Sequence, residues 1–168
     1  MFKKIFAYLF ISCACSSMVI DKTHANQELH ITNDNIDKDF YNSQPANEGK
    51  YSNVSFNGVE INSNFVEQFK KFLPYGCEEL SFEGCSLKDG VKFYNLFSSG
   101  GYYVKHLAIT SCDLTVDDAD FIISYLYCYL VNSIDFSNND KLQEDKERFQ
   151  EILNTSITSP CYGIKVIL

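Results

Sequence analysis

The sequence contains no tryptophan, three prolines, two methionines and only 14 basic residues against 22 acidic ones. The shortage of positive charge excludes most. A formal net charge of −8 repels phosphate backbones, which argues against general nucleic-acid binding. Removing residues 1–25 takes away Lys3, Lys4, Lys22 and Asp21, leaving 11 basic and 21 acidic residues. No two of the seven cysteines form a CxxC pair, so a structural zinc site has no support. Ser98-Ser99-Gly100-Gly101 has no lysine after it. It reads as a helix stop, not a phosphate loop. Asp34, Asp37 and Asp39 lack the glycine and closing glutamate of a helix-loop-helix calcium site. No cofactor and no metal is expected.

What is present begins with an address. Lys3 and Lys4 precede an uncharged apolar run, and Asp21 follows it after 16 residues. A spanning helix needs roughly 20 mainly apolar residues. The order of charge and apolar run is that of a secretory signal peptide over 1–25. Cleavage after Thr23-His24-Ala25 or after Ser12-Cys13-Ala14 fits the small-residue rule. Phe10-Ile11-Ser12-Cys13 resembles a bacterial lipobox with Phe in place of Leu, which keeps a lipoprotein anchored through Cys13 as an alternative. Residues 26–50 are polar and hold no period of 2 or 3.6 over ten residues, so they read as a linker or leader.

Self-similarity governs the rest. Val54-Ser-Phe56-Asn-Gly-Val59-Glu-Ile61 is matched by Leu80-Ser-Phe82-Glu-Gly-Cys85-Ser-Leu87. It is matched again by Leu107-Ala-Ile109-Thr-Ser-Cys112-Asp-Leu114. The fourth copy, Ile134-Asp-Phe136-Ser-Asn-Asn139-Asp-Lys-Leu142, has one extra residue. The starts lie 26, 27 and 27 residues apart. Ile164-Lys-Val166-Ile-Leu168 follows as a further strand. Positions 1 and 3 of each copy share one strand face. Position 6 turns back inward, where Cys or Asn can meet buried backbone groups.

Helical patterns fill the intervals. Phe65, Phe69, Phe72 and Leu73 share one helix face. Val91, Phe93 or Tyr94, and Phe97 form a second group. Phe121, Ile122, Tyr125, Leu126 and Tyr129 form a third, and Phe149, Ile152 and Leu153 a fourth. Ser63, Ser86 or Asp89, and Thr115 are candidate caps; Gly76 and Gly100-Gly101 are candidate stops.

These segments resemble leucine-rich repeats with Cys or Asn at the turn, as in ribonuclease-inhibitor-like and F-box-associated repeat proteins. The resemblance covers Tyr51 to Leu168. It implies a short α/β solenoid over 51–168, with parallel strands on the concave face and helices on the convex face. It further implies that the concave face binds another protein. An ordinary α/β domain, and with it a hydrolase-like enzyme, is the alternative reading.

Side chains pointing out of the strands define the expected partner face. One row is Ser55, Ser81, Ala108, Asp135 and Lys165; the next is Asn57, Glu83, Thr110 and Ser137. Asn53, Glu79, His106 and Ser133 flank them. The partner-binding set is Ser55, Asn57, Glu79, Ser81, Glu83, His106, Thr110, Asp135 and Ser137. It is polar and mildly acidic, without an aromatic anchor. Tyr102 and Tyr103 are alternative anchors. Ile164 to Leu168 offers an edge for pairing with a second copy.

Chemistry finds little footing. His24, His30 and His106 have no recognisable nucleophile nearby in sequence, so no catalytic residue is assigned. Asp117, Asp118 and Asp120 suit the first turn of a helix. Cys85 and Cys112 fall on neighbouring strands, about 5 Å apart at the backbone. They read as buried thiols, though that spacing also permits a disulfide. Asn53-Val-Ser55 and Asn154-Thr-Ser156 are sequons that matter only in a eukaryotic secretory route. The resulting expectation is an exported interaction module of the kind a bacterium deploys as an effector or surface protein.

Overall fold

Strands with an apolar residue at every second position hide that side by pairing and turning it inward. The computed structural model, which describes residues 27–42, 51–73, 76–98, 103–126, 131–155 and 164–168, realises this repeatedly. Its first elements are β1 (Gln27–Thr32), a π-helical turn (Asp37–Tyr41), β2 (Tyr51–Asn57), β3 (Glu60–Ile61) and α1 (Ser63–Phe72). β4 (Glu79–Glu83), β5 (Ser86–Leu87), α2 (Tyr94–Phe97), β6 (His106–Thr110) and α3 (Val116–Tyr125) follow. The last are β7 (Ser133–Asp135), α4 (Asp140–Glu144), α5 (Lys146–Thr155) and β8 (Lys165–Ile167).

The fold is α/β. Six strands form one sheet in the order β1-β2-β4-β6-β7-β8, every neighbour parallel. β3 and β5 make a separate parallel pair. The expected leader and Cys13 lie outside the described residues, as do Gly100, Gly101, Tyr102, Cys128, Tyr129 and Cys161.

Register turns the repeat into packing. Leu29, Val54, Leu80, Leu107, Ile134 and Val166 stand opposite one another across the sheet. Ile31, Phe56, Phe82 and Ile109 form a second inward row. Val54, Leu80, Leu107, Ile134 and that whole second row are buried, each side chain contributing about 1.5–3 kcal/mol. The rings of Phe56 and Phe82 stack at 5.1 Å with 9° between planes. Phe65 and Phe69 of α1 close over Phe56, and Phe93 closes over Phe82.

Residues 27–42 hold regular structure within the stretch expected to be a linker or leader. β1 pairs with β2 in parallel, and Ile31 and Phe40 are fully buried. Phe40 meets Phe56, Phe65 and Phe72 at centroid distances of 5.4, 4.8 and 5.3 Å. Leu29, Ile31 and Ile36 occupy relative positions 1, 3 and 8, the same pattern as the later copies. A six-residue strand is too short to show a period over ten residues, which hides this rung in a polar context.

The helix ends also differ in detail. Asn62, one residue before Ser63, caps α1 by accepting from the Phe65 N–H at 2.9 Å. Thr115 caps α3 as expected, in a reciprocal box with Asp118. α2 has no side-chain cap; Ser86 lies in β5 and Asp89 in a left-handed turn. Gly76 follows α1 at φ +84, and a Cβ there would lie 2.0 Å from the Tyr103 carbonyl oxygen, so that close approach requires glycine. The apolar run of α3 divides unexpectedly. Ile122, Ile123 and Leu126 face the core, while Phe121 and Tyr125 are exposed.

Candidate interaction face

Each rung turns out of its strand through a left-handed residue. Gly58, Gly84, Ser111 and Asn138 occupy the fifth position of the four copies, at φ between +56 and +65. Gly58, Gly84 and Ser111 donate their N–H groups to the carbonyls of Glu83, Thr110 and Ser137 on the next rung. The sixth residue then points inward: Val59, Cys85, Cys112 and Asn139 are all buried.

Both polar atoms of the Asn139 side chain are satisfied. Its Oδ1 accepts from the Cys112 and Leu114 N–H groups at 2.9 and 3.1 Å. Its Nδ2 donates to the Ile109 and Phe136 carbonyls at 2.7 and 2.8 Å. One rung earlier, Cys112 Sγ accepts from the Cys85 N–H at 3.2 Å. Buried backbone groups without partners cost free energy, so this ladder fixes the turns. Cys77, Cys85 and Cys112 are buried free thiols. The Cys112 thiol is held well above its ordinary range, first by its hydrogen bond with Cys85 and then by burial. Burial pushes Cys77 up to about 12.

With the turns fixed, the polar strand positions stand in three rows. The first is Glu28, Asn53, Glu79, His106, Ser133 and Lys165. The second is His30, Ser55, Ser81, Ala108, Asp135 and Ile167. The third is Thr32, Asn57, Glu83 and Thr110, with Ser137 donating its N–H to Asp135 Oδ1 just beyond β7. Register therefore brings together eight of the nine expected partner-binding residues, and Ser137 follows β7 with its carbonyl accepting from the Ser111 N–H. Glu28, His30 and Thr32 extend the face and were hidden with β1. Lys165 is shifted: it stands beside Ser133, and Ile167 stands beside Asp135. A two-residue offset keeps Lys165 on the same face because the strand period is two.

Cross-strand hydrogen bonds organise the face. Asn53 Nδ2 donates to Glu79 Oε2, and Asn57 Nδ2 donates to Glu83 Oε2, both at 3.1 Å. His30 Nδ1 meets Ser55 Oγ at 2.5 Å, and His106 Nδ1 meets Ser133 Oγ at 2.8 Å. Sequence proximity could not reveal the last pair, because Ser133 lies 27 residues from His106. Both histidines are exposed, and each contact joins residues in register. They read as ladder rungs.

Elsewhere Phe121 and Tyr125, 46% and 40% exposed, stack at 6.4 Å, with Tyr94 4.9 Å from Phe121. Tyr103, an expected alternative anchor, is half-buried and bridges to Gly76 through its backbone. Among the described residues, no group of three His, Cys, Asp or Glu could hold a metal ion, and no helix is long and apolar enough to cross a membrane. No family model, curated protein or solved structure matches the chain.

Proposed function

We propose that this chain is a short leucine-rich-repeat solenoid of the ribonuclease-inhibitor-like type, which binds another protein through the polar side of its sheet. Five consecutive parallel pairings in order along the chain support the repeat reading. So does the Cys/Asn ladder at the sixth position. The observation that carries the binding role is the register of the polar rows, which gathers eight separated residues onto one open surface. Such a surface recognises by summed contacts. It does not concentrate reactive groups in a cleft as an enzyme does. Export through the leader at 1–25 completes the proposal, with an effector or surface protein as the physiological setting and lipid attachment at Cys13 as its anchored form.

The test is position-specific cross-linking. A photoreactive residue replacing Ser81 on the strand face should yield one adduct, lost when Glu83 and Asp135 are changed to Lys. The same residue replacing Ser124, exposed on α3, should yield none. A second surface is favoured by the exposed rings of Phe121 and Tyr125, since aromatics anchor many interfaces. Adducts from Ser124 alone would transfer the binding role to that side.

A further inference from the structure

The two outermost strands of the sheet run in the same direction. β1 and β8 are its end members among the described residues, and every pairing between them is parallel. The rung at each end is less covered than those within. Leu29 and Val166 are half-buried, whereas Val54, Leu80, Leu107 and Ile134, which stand between them in the same row, are buried. Ile167 also breaks the polar pattern of the strand face, where it is 36% exposed.

Backbone groups decide what each edge can accept. Lys165 donates its N–H to the Asn132 carbonyl, and the Ile167 carbonyl accepts from the Phe136 N–H. Both residues therefore face β7, and the Val166 N–H and C=O turn to the outer edge. Glu28 and His30 occupy the rows of Lys165 and Ile167. Their backbone groups face away from β2 in the same way, onto the outer edge of β1. Asn35 already fills one end of that edge. Its Oδ1 accepts from the Thr32 N–H at 2.7 Å, and its Nδ2 donates to the His30 carbonyl at 2.8 Å. That amide stands in for a neighbouring strand at His30 and Thr32. Among the described residues, the Glu28 carbonyl and the His30 N–H have no such substitute.

We infer that β8 of one molecule pairs in parallel with β1 of a second copy, so that the sheet continues from chain to chain. The Val166 N–H donates to the Glu28 carbonyl of the second copy, whose His30 N–H donates to the Val166 carbonyl. This register sets Lys165 opposite Glu28, Val166 opposite Leu29 and Ile167 opposite His30. Opposite charges then meet across the junction. Lys165 is the one lysine or arginine in the polar rows, and it stands at the end that meets Glu28. The inward apolar row runs on unbroken, and Ile167 is covered. Pairing of two β8 strands with each other would instead be antiparallel, set Lys165 against Ile167 and leave β1 open. Because the two joined edges differ, the contact does not close on itself, and copies add in a line. The inference goes beyond the interaction-face reading and does not depend on what that face binds.

Sedimentation of the full chain over a wide range of concentrations is the test. The average mass should rise with concentration and pass that of a dimer. Lys165→Glu alone and Glu28→Lys alone each place like charges at the junction. Each should raise the concentration needed for association by about tenfold or more. Both side chains are exposed, so circular dichroism should show both variants folded. An equal mixture of the two single variants restores opposite charges at every mixed junction and should recover association. A monomer at every concentration, association indifferent to either charge reversal, or a mixture no better than its components would overturn the inference. A closed dimer weakened by Lys165→Glu and untouched by Glu28→Lys would also overturn it, in favour of β8 pairing with itself.

Discussion

Asn139 Oδ1 lies 2.9 Å from the backbone nitrogen of Cys112, a residue 27 positions earlier in the chain. One side chain thereby closes the turn of the rung before its own. Replacing Asn139 with Ala strands two N–H groups and two carbonyls in a fully buried site. The expected loss is about 3–5 kcal/mol, since each unsatisfied buried group costs on the order of 1–3 kcal/mol and the effects overlap. Asn139→Cys should cost less, because Cys112 Sγ already fills the equivalent role for the Cys85 N–H. Urea denaturation of the two variants checks both the size and the order.

Ser111 predicts the opposite sign. It holds φ +56 at a position where two other copies have glycine, and a non-glycine residue there costs about 1–2 kcal/mol. Ser111→Gly should therefore stabilise by about 0.5–1 kcal/mol after the added flexibility of the unfolded chain is counted. Gly84→Ala should destabilise by a similar amount. A thermal melt that moves the same way for both would contradict this account of the turn.

The N-terminal rung gives a third expectation. Phe40 is fully buried against Phe56, Phe65 and Phe72. Phe40→Ala should cost about 3–5 kcal/mol, as large aromatic truncations in a core do. Were residues 27–42 only a linker, chemical denaturation would register little change.

How much of this was legible divides along physical lines. Leu80, Leu107 and Ile134 announced their shared row because period-two spacing and a 27-residue interval both survive in the sequence. Cys85, Cys112 and Asn139 announced the inward turn because polar or thiol groups recur there. Leu29 and Ile31 carried the same pattern, but Asn33, Asp34 and Asn35 around them resemble linker composition. The outward turn of Phe121 was hidden for another reason. On a helix with apolar residues at 121, 122, 123, 125 and 126, spacing alone does not choose which of them face the sheet. His106 and Ser133, and Asn53 and Glu79, meet only because strands pair, so their contacts follow from register and from no local motif.

A fourth expectation concerns pH. Cys77 is buried and its thiol is pushed from 9.0 up to about 12. The folded state therefore holds this proton more tightly than the unfolded one. Its contribution is full below about pH 9 and is lost as pH rises towards 12. Cys77→Val removes the titrating group, so the difference in stability between the native chain and the variant should shift towards the variant across that window. A pH-independent difference would refute the burial argument.

Methyl-to-methyl contacts measured by NMR in solution test the stacked-rung account most directly. Cross-peaks should run Val54 to Leu80, Leu80 to Leu107 and Leu107 to Ile134, with none linking Val54 directly to Ile134. Contacts that pair these residues out of sequence order, or backbone contacts typical of antiparallel strands, would contradict the register. The polar rows and the proposed binding face would then have no basis.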